Sequence, residues 1–424
     1  MAPQGRRARY RLTLISAGIT IAAVLAAGPV PTPATSTPTP PVPTATPSTV
    51  SVPTASTPSA AAAAAAAAKP GVSASPGATT GAVAISPFGA FLDSGPLGVA
   101  RITGLRSWLG GTEPKVAHTY LPGGEWTDIE GPPGFLDAWA RWRRERADRT
   151  LVLNVPMQAH NEENVPDGQV RELLGQAAAG AFDRHFRTLA ERLVAQKVPD
   201  TVLVLGWEMN GITYTHRCGP DPAAWKAYWK RIVRTMRSVP GQRFRFDFTP
   251  SRGRDAVPWT ECYPGDDTVD IIGMDAYDQP AGLSFEQQVK EPYGLRQHAE
   301  FAKAHRKPIS FPEWGLFRNG DNPGYMRGML AWIEEHKPLY NTLTDYCPHG
   351  VWQCASNPRS SQVYRSFLYG HGDQPAAPAP TTPVPEPTGS AVPAPKPADD
   401  CPAPGPADWL QYWLGRKFCF GPDR

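Results

Sequence analysis

Two glutamates are placed to do chemistry together: Glu208 in the stretch 202–211 (VLVLGWEMNG) and Glu313 in 308–316 (PISFPEWGL). Each follows an apolar run with few charges, the pattern of a strand buried on both faces of a parallel sheet, and each has a tryptophan beside it, Trp207 and Trp314. One carboxylic acid kept protonated and one carboxylate kept ionised, flanking a sugar ring with aromatic faces to lie on, is what hydrolysis of a glycosidic bond requires. Taken singly, either glutamate has a plainer explanation, capping the next helix or pairing with a nearby arginine. Together, and beside tryptophans, they point to catalysis.

For the two groups to meet, their strands must deliver them to one rim, as the carboxyl ends of strands do in parallel sheets and (β/α) barrels. Strand patterns recur at 88–93 (FGAFLD), 116–121 (VAHTYL), 151–157 (LVLNVPM), the Glu208 stretch, 244–249 (FRFDFT), 269–277 (VDIIGMDAY), the Glu313 stretch and 350–353 (GVWQ). Helical spacing marks 135–147, 181–196, 285–305 with a break at Pro292, and 360–369. Asp221-Pro222 and Asn322-Pro323 each open a helix with a capping residue and a proline in its first turn. The alternation predicts an α/β fold, a (β/α)8 TIM barrel. No helix is evident after Thr249, so a loop around Cys262 is expected in its place. The third strand would end in Asn154, Gln158 and His160; the sixth would bring Asp275 and Tyr277 to the rim, and the last would present Trp352. For Asn154 and His160, a loop role satisfied locally stands beside a role on sugar hydroxyls, and for Trp314 and Trp352 a packing role stands beside one lining a cleft.

Composition bounds the rest. The chain has 424 residues, and most of its 49 prolines lie outside this central region. Residues 1–28 carry Arg6, Arg7, Arg9 and Arg11 before an apolar run ending in small residues, a signal peptide or an N-terminal membrane anchor. Residues 29–85 and 373–400 read as Pro, Thr and Ala-rich linkers flanking a barrel over 86–372. Without the four N-terminal arginines the formal charge of +3 disappears, so nothing argues for nucleic acid. Six cysteines in an exported chain suggest disulfides, most simply Cys218–Cys262, Cys347–Cys354 and Cys401–Cys419. The last pair brackets an aromatic 401–424 segment, either a small attachment or glycan-binding element or a strap packing on the barrel. The expected protein is a secreted or membrane-anchored monomer with no metal and no cofactor.

The central region resembles glycoside hydrolase family 26, a clan A family of retaining (β/α)8 enzymes best known for endo-β-1,4-mannanases. The likeness rests on Glu208-Met-Asn-Gly after the fourth strand, IIGMDAYD (271–278) after the sixth and PEWG (312–315) after the seventh. It implies Glu208 as proton donor and base, Glu313 as nucleophile, a Tyr277 hydroxyl bonded to that nucleophile, and Trp352 stacking under the sugar. Trp207, Asn210, Trp314 and His160 complete the expected substrate contacts. Mannanases of the family carry His immediately before the acid/base glutamate, where this chain has Trp207, and relatives act on β-1,3-xylan and mixed-linkage β-glucan. The expected partner is therefore a β-linked polysaccharide, mannan first. Two other readings stand: a transglycosylase processing exopolysaccharide, and a wall-associated protein that holds glycan without turnover.

Overall fold

The computed structural model describes residues 85–371. The N-terminal segment and linker up to residue 84, the linker after 372 and the Cys401–Cys419 pairing lie outside them. The strands are β1 (Phe88–Phe91), β2 (Val116–Tyr120), β3 (Thr150–Val155), β4 (Val202–Leu205), β5 (Arg245–Phe248), β6 (Ile271–Gly273), β7 (Ala276–Tyr277), β8 (Ile309–Gly315) and β9 (Asn341–Thr344). All pair in parallel, and the β1–β9 and β6–β8 pairings close the sheet on itself. The short β7 extends the stave begun by β6, with Ala276 opposite Trp314 and Tyr277 opposite Gly315. The result is a closed eight-stave (β/α)8 barrel.

Period-2 alternation divides the core in two. Val116, Val152, Val202, Val204, Ile271 and Tyr340 fill the barrel interior under Trp207, while Leu151, Leu153, Leu203 and Leu205 face outward toward the helices. Deep inside, Asp247 is buried and accepts hydrogen bonds from Thr249 Oγ1 (3.0 Å), Ser310 Oγ (2.6 Å) and the Tyr340 hydroxyl (2.6 Å). Those three donors offset the desolvation of the buried carboxyl group.

The helix Pro222–Arg237 forms where its cap and proline predict. Asp221 accepts from the Ala224 N–H, and Trp225, Tyr228, Trp229, Ile232, Val233 and Met236 make the buried stripe. Behind β5 there is only the 3-10 turn Trp259–Cys262, as the missing helical pattern implied. The 285–305 stretch divides into Phe285–Lys290 and Leu295–Ala304 on either side of Pro292. Three helices had no prediction: Pro96–Trp108, Trp126–Ile129 and Asp167–Ala179. The first buries only Gly98, Ile102 and Leu105, too sparse a set to mark a stripe.

The expected last strand over 350–353 is corrected. The eighth stave is β9, whose polar Asn341, Thr342 and Thr344 hid it, and 350–353 is a loop. Asp345, directly after β9, gathers that loop by accepting the N–H groups of Val351 (2.6 Å), Trp352 (2.9 Å) and Gln353 (3.3 Å). Two disulfides are formed, Cys218–Cys262 and Cys347–Cys354. The first joins the loop after β4 to the turn after β5 across a separation of 44 residues. Replacing both of its cysteines by alanine should lower the unfolding free energy by about 2–4 kcal/mol, since closing a loop of this length removes that much denatured-state entropy. Urea denaturation of the double variant at the wild-type midpoint would contradict this.

Candidate active site

The carboxyl ends of the strands bring Glu208 and Glu313 close enough for the charge of one to raise the pKa of the other. Glu313 lies in β8 beyond an irregularity in its pairing with β9, where Phe311 opposes Asn341 and Trp314 opposes Leu343; the extra residue turns Glu313 to the same inner side as Ser310. Tyr277, on β7, donates its hydroxyl to Glu313 Oε2 (2.7 Å) and stands 2.7 Å from Thr344 Oγ1 on β9. Asn154, on β3, donates Nδ2–H to Glu313 Oε1 (3.1 Å). The Asn154 carbonyl then serves as acceptor for His118 Nε2–H (2.9 Å), and His118 Nδ1 lies 3.1 Å from Thr342 Oγ1, whose hydroxyl donates to the Pro312 carbonyl. Burial lowers the His118 pKa to about 4, so the ring is neutral. Burial pushes the Glu313 carboxyl up, while hydrogen bonds from Tyr277, Tyr120 and Asn154 pull it back toward the ionised form.

Glu208 is held differently. β4 ends at Leu205, so Glu208 stands three residues beyond it in a loop. Gly206 has φ 51° and Glu208 itself φ 50°. A non-glycine residue there costs about 1–3 kcal/mol, sustained only where the surroundings over-determine it. They do so here: the Glu208 N–H donates to Thr249 O (2.8 Å), Cys218 N–H to Met209 O (2.7 Å) and Val257 N–H to Asn210 O (3.1 Å). Burial, then the charges of Glu313 and Asp255, raises the Glu208 carboxyl to about 8. The arrangement therefore provides a carboxylic acid protonated at neutral pH beside a carboxylate held by donors, a pairing suited to proton donation and nucleophilic attack.

Other expected residues divide. Trp207 is buried at the site, edge-on to Tyr120 (5.6 Å between ring centroids), Tyr214 (5.1 Å) and His216 (5.1 Å). His216 Nε2 donates to the Trp207 carbonyl (2.9 Å), so an imidazole braces this loop from nine residues on. Asn210 sits beside the pair, but its amide is taken: Nδ2 donates to Ser251 O (3.1 Å) and Oδ1 accepts from Ser251 N–H (2.9 Å). It ties two rim loops together instead of meeting a sugar hydroxyl. Trp314 points away from the cleft, because alternation that turns Glu313 inward turns its neighbour outward. Its Nε1–H bonds Asn341 Oδ1 (3.2 Å) and its ring lies 6.0 Å from Tyr364 on the outer helix Pro358–Leu368.

Trp352 packs on Gly104 of the helix Pro96–Trp108, and His160 is exposed and paired with Glu163 (2.8 Å); neither is brought to the glutamates. The misplaced last strand explains Trp352. With β9 ending at Thr344, the aromatic residue that follows it at the rim is Tyr346, whose hydroxyl feels the charges of Glu313 and Glu208.

Two residues at this centre, Tyr120 and Arg252, went unforeseen, and Asp275, expected at the rim, has a setting that the sequence did not indicate. Tyr120 follows His118 by two positions and so shares its inward face, a period-2 signal present in VAHTYL. Asp275 is buried and held well above the usual carboxylate range by burial and then by the charges of Glu313 and Glu208. Arg252 Nη2 donates to the carbonyls of Tyr277 (2.9 Å) and Gln279, fixing the backbone that carries the Tyr277 hydroxyl. Among the described residues no group of His, Cys, Asp and Glu is arranged to hold a metal ion.

Residues 184–306 match the model of glycosyl hydrolase family 26. Among solved structures the fold is similar to that of Bacillus subtilis mannanase BCman, with TM-score 0.50 and 18% identity over 66% of this chain and 84% of that one. It is similar also to Bacillus subtilis mannanase man26 (TM-score 0.50, 17%, covering 71% and 91%). The catalytic domain of a Bacillus sp. JAMB-750 endo-β-1,4-mannanase aligns comparably (TM-score 0.50, 17%, covering 68% and 87%). No curated protein sequence matches the chain. At these identities the structural likeness speaks for the barrel, and the matched segment, which carries Glu208, Asp275 and Tyr277, for the family. Over that segment the chain resembles glycosyl hydrolase family 26, and its barrel is similar in fold to those of the mannanases.

Proposed function

We propose that the protein is a secreted, retaining endo-β-glycanase acting by double displacement, with β-1,4-mannan as its first substrate. The observation that carries this is the unequal setting of the two carboxyl groups. Glu313 receives O–H and N–H donors from Tyr277 and Asn154, which favour an anion, whereas Glu208 is raised to about 8 by burial and neighbouring charge. In the first step a Glu313 oxygen attacks the anomeric carbon as the Glu208 proton passes to the departing glycosidic oxygen, giving a glycosyl-enzyme ester and a shortened chain. In the second, Glu208 takes a proton from water, whose oxygen displaces Glu313 and releases the sugar with its original configuration. Trp207, standing where mannanases of the family have His, makes β-1,3-xylan and mixed-linkage β-glucan the substrates to test beside mannan.

Removing the Glu208 carboxyl should slow cleavage of polysaccharide about 10²–10⁴-fold, the usual worth of a positioned acid. Aryl glycosides with good leaving groups should still show a burst, and added azide should release the β-glycosyl azide from Glu208→Ala. An α-azide product, or Glu313→Ala that cleaves any of the three polymers at the wild-type rate, would overturn the assignment.

The pH profile gives a second check. Activity needs Glu208 protonated, so kcat/KM should fall as pH rises through about 8. Asp255 raises that pKa by its negative charge, so Asp255→Asn should move the alkaline limb to lower pH. A limb that stays in place or moves upward in the variant would contradict the electrostatic account.

A further inference from the structure

On the β3 side of the rim a cavity of about 360 Å³ opens among Trp126, Gln158, His160, Glu163 and Asn164, walled by the start of the helix Asp167–Ala179. It is distinct from the space around the glutamates. Its lining includes neither Glu208 nor Glu313, nor any of Tyr277, Asn154 and Tyr120 that bond Glu313.

The chemistry of the walls identifies what fits. Trp126 stacks at 4.4 Å on Phe182 and 4.5 Å on His185, meets Phe186 edge-on at 6.3 Å, and stays partly exposed where it lines the cavity. Gln158 is 1% exposed and its Nε2 has no hydrogen-bond partner, a buried donor that costs free energy until a ligand acceptor meets it. Glu163 and His160, paired at 2.8 Å and both exposed, add an acceptor and a ring nitrogen at the mouth. No Lys or Arg lines the cavity, which disfavours phosphate, sulfate or uronate. The volume is at the small end of ligand sites, about 300–1,000 Å³.

We infer that this cavity is a second carbohydrate-binding site, holding a neutral sugar unit of the polysaccharide against Trp126 with its hydroxyls on Gln158 and Glu163. The inference rests on the reading of the cleft as a polysaccharide site, and its test is separable from that reading. The affinity of the full chain carrying Glu313→Ala is measured by retardation in native gels containing galactomannan, β-1,3-xylan or mixed-linkage β-glucan. Hydrolysis of the same three polymers by the wild type reports independently on the cleft. Adding Gln158→Leu, or His160→Ala with Glu163→Ala, should weaken retardation, with the dissociation constant rising about tenfold for Gln158→Leu. The exposed pair of substitutions decides the matter alone if Gln158→Leu does not fold. Unchanged retardation in the variants, or a parent protein retarded by none of the polymers, would overturn the second site whatever the wild type cleaves.

Discussion

The structure depends on keeping one carboxylate inside the mouth of a protein barrel. A buried anion is tolerated only when donors replace the water it has lost. Glu313 obtains them from three directions: Tyr277 on the stave shared by β6 and β7, Asn154 on β3, and Tyr120 on β2. Each donor is itself fixed. Asn154 is held by His118, which lies against Thr342; Tyr277 is held by Thr344 and by Arg252 on its backbone carbonyl. The polar residues of β9 that look out of place in a strand are thus the outer members of this network, and they contribute stability only while every partner is present.

Glu208 relies on backbone rather than side-chain support. Its left-handed conformation lies in a loop pinned to the segment after β5 by Thr249, by the Asn210–Ser251 amide bonds and by Cys218–Cys262. Two rigid supports of different kinds let the two carboxyl groups keep different protonation states at short range. That difference is the condition for one glycosidase residue to give a proton while the other forms a bond.

Much of this was legible in the sequence, and the parts that were not have physical reasons. Apolar strands such as VLVL announce themselves because both faces are buried, and Asp221-Pro222 and Asn322-Pro323 announce helices because capping chemistry is local. β9 escaped because its inward residues are Thr342 and Thr344, whose value lies in partners that are distant in sequence. Placing the last strand at 350–353 then gave Trp352 a rim position that belongs to Tyr346. Trp314 and Asn210 failed for another reason: proximity in sequence to a glutamate says nothing of direction. Alternation turns Tyr120 in, whereas Trp314 is turned out and Glu313 in by the slip of one residue in the pairing of β8 with β9 between Phe311 and Trp314.

Trapping the covalent intermediate tests the central claim most directly. An activated 2-deoxy-2-fluoro β-glycoside of the sugar that the enzyme cleaves forms the glycosyl-enzyme faster than water can release it, so the nucleophile stays labelled. Mass spectrometry of the digested protein should find the added sugar on the peptide containing Glu313, and activity should return as the label is slowly lost. Labelling at Glu208 or Asp275, or inactivation with no covalent label, would contradict the account.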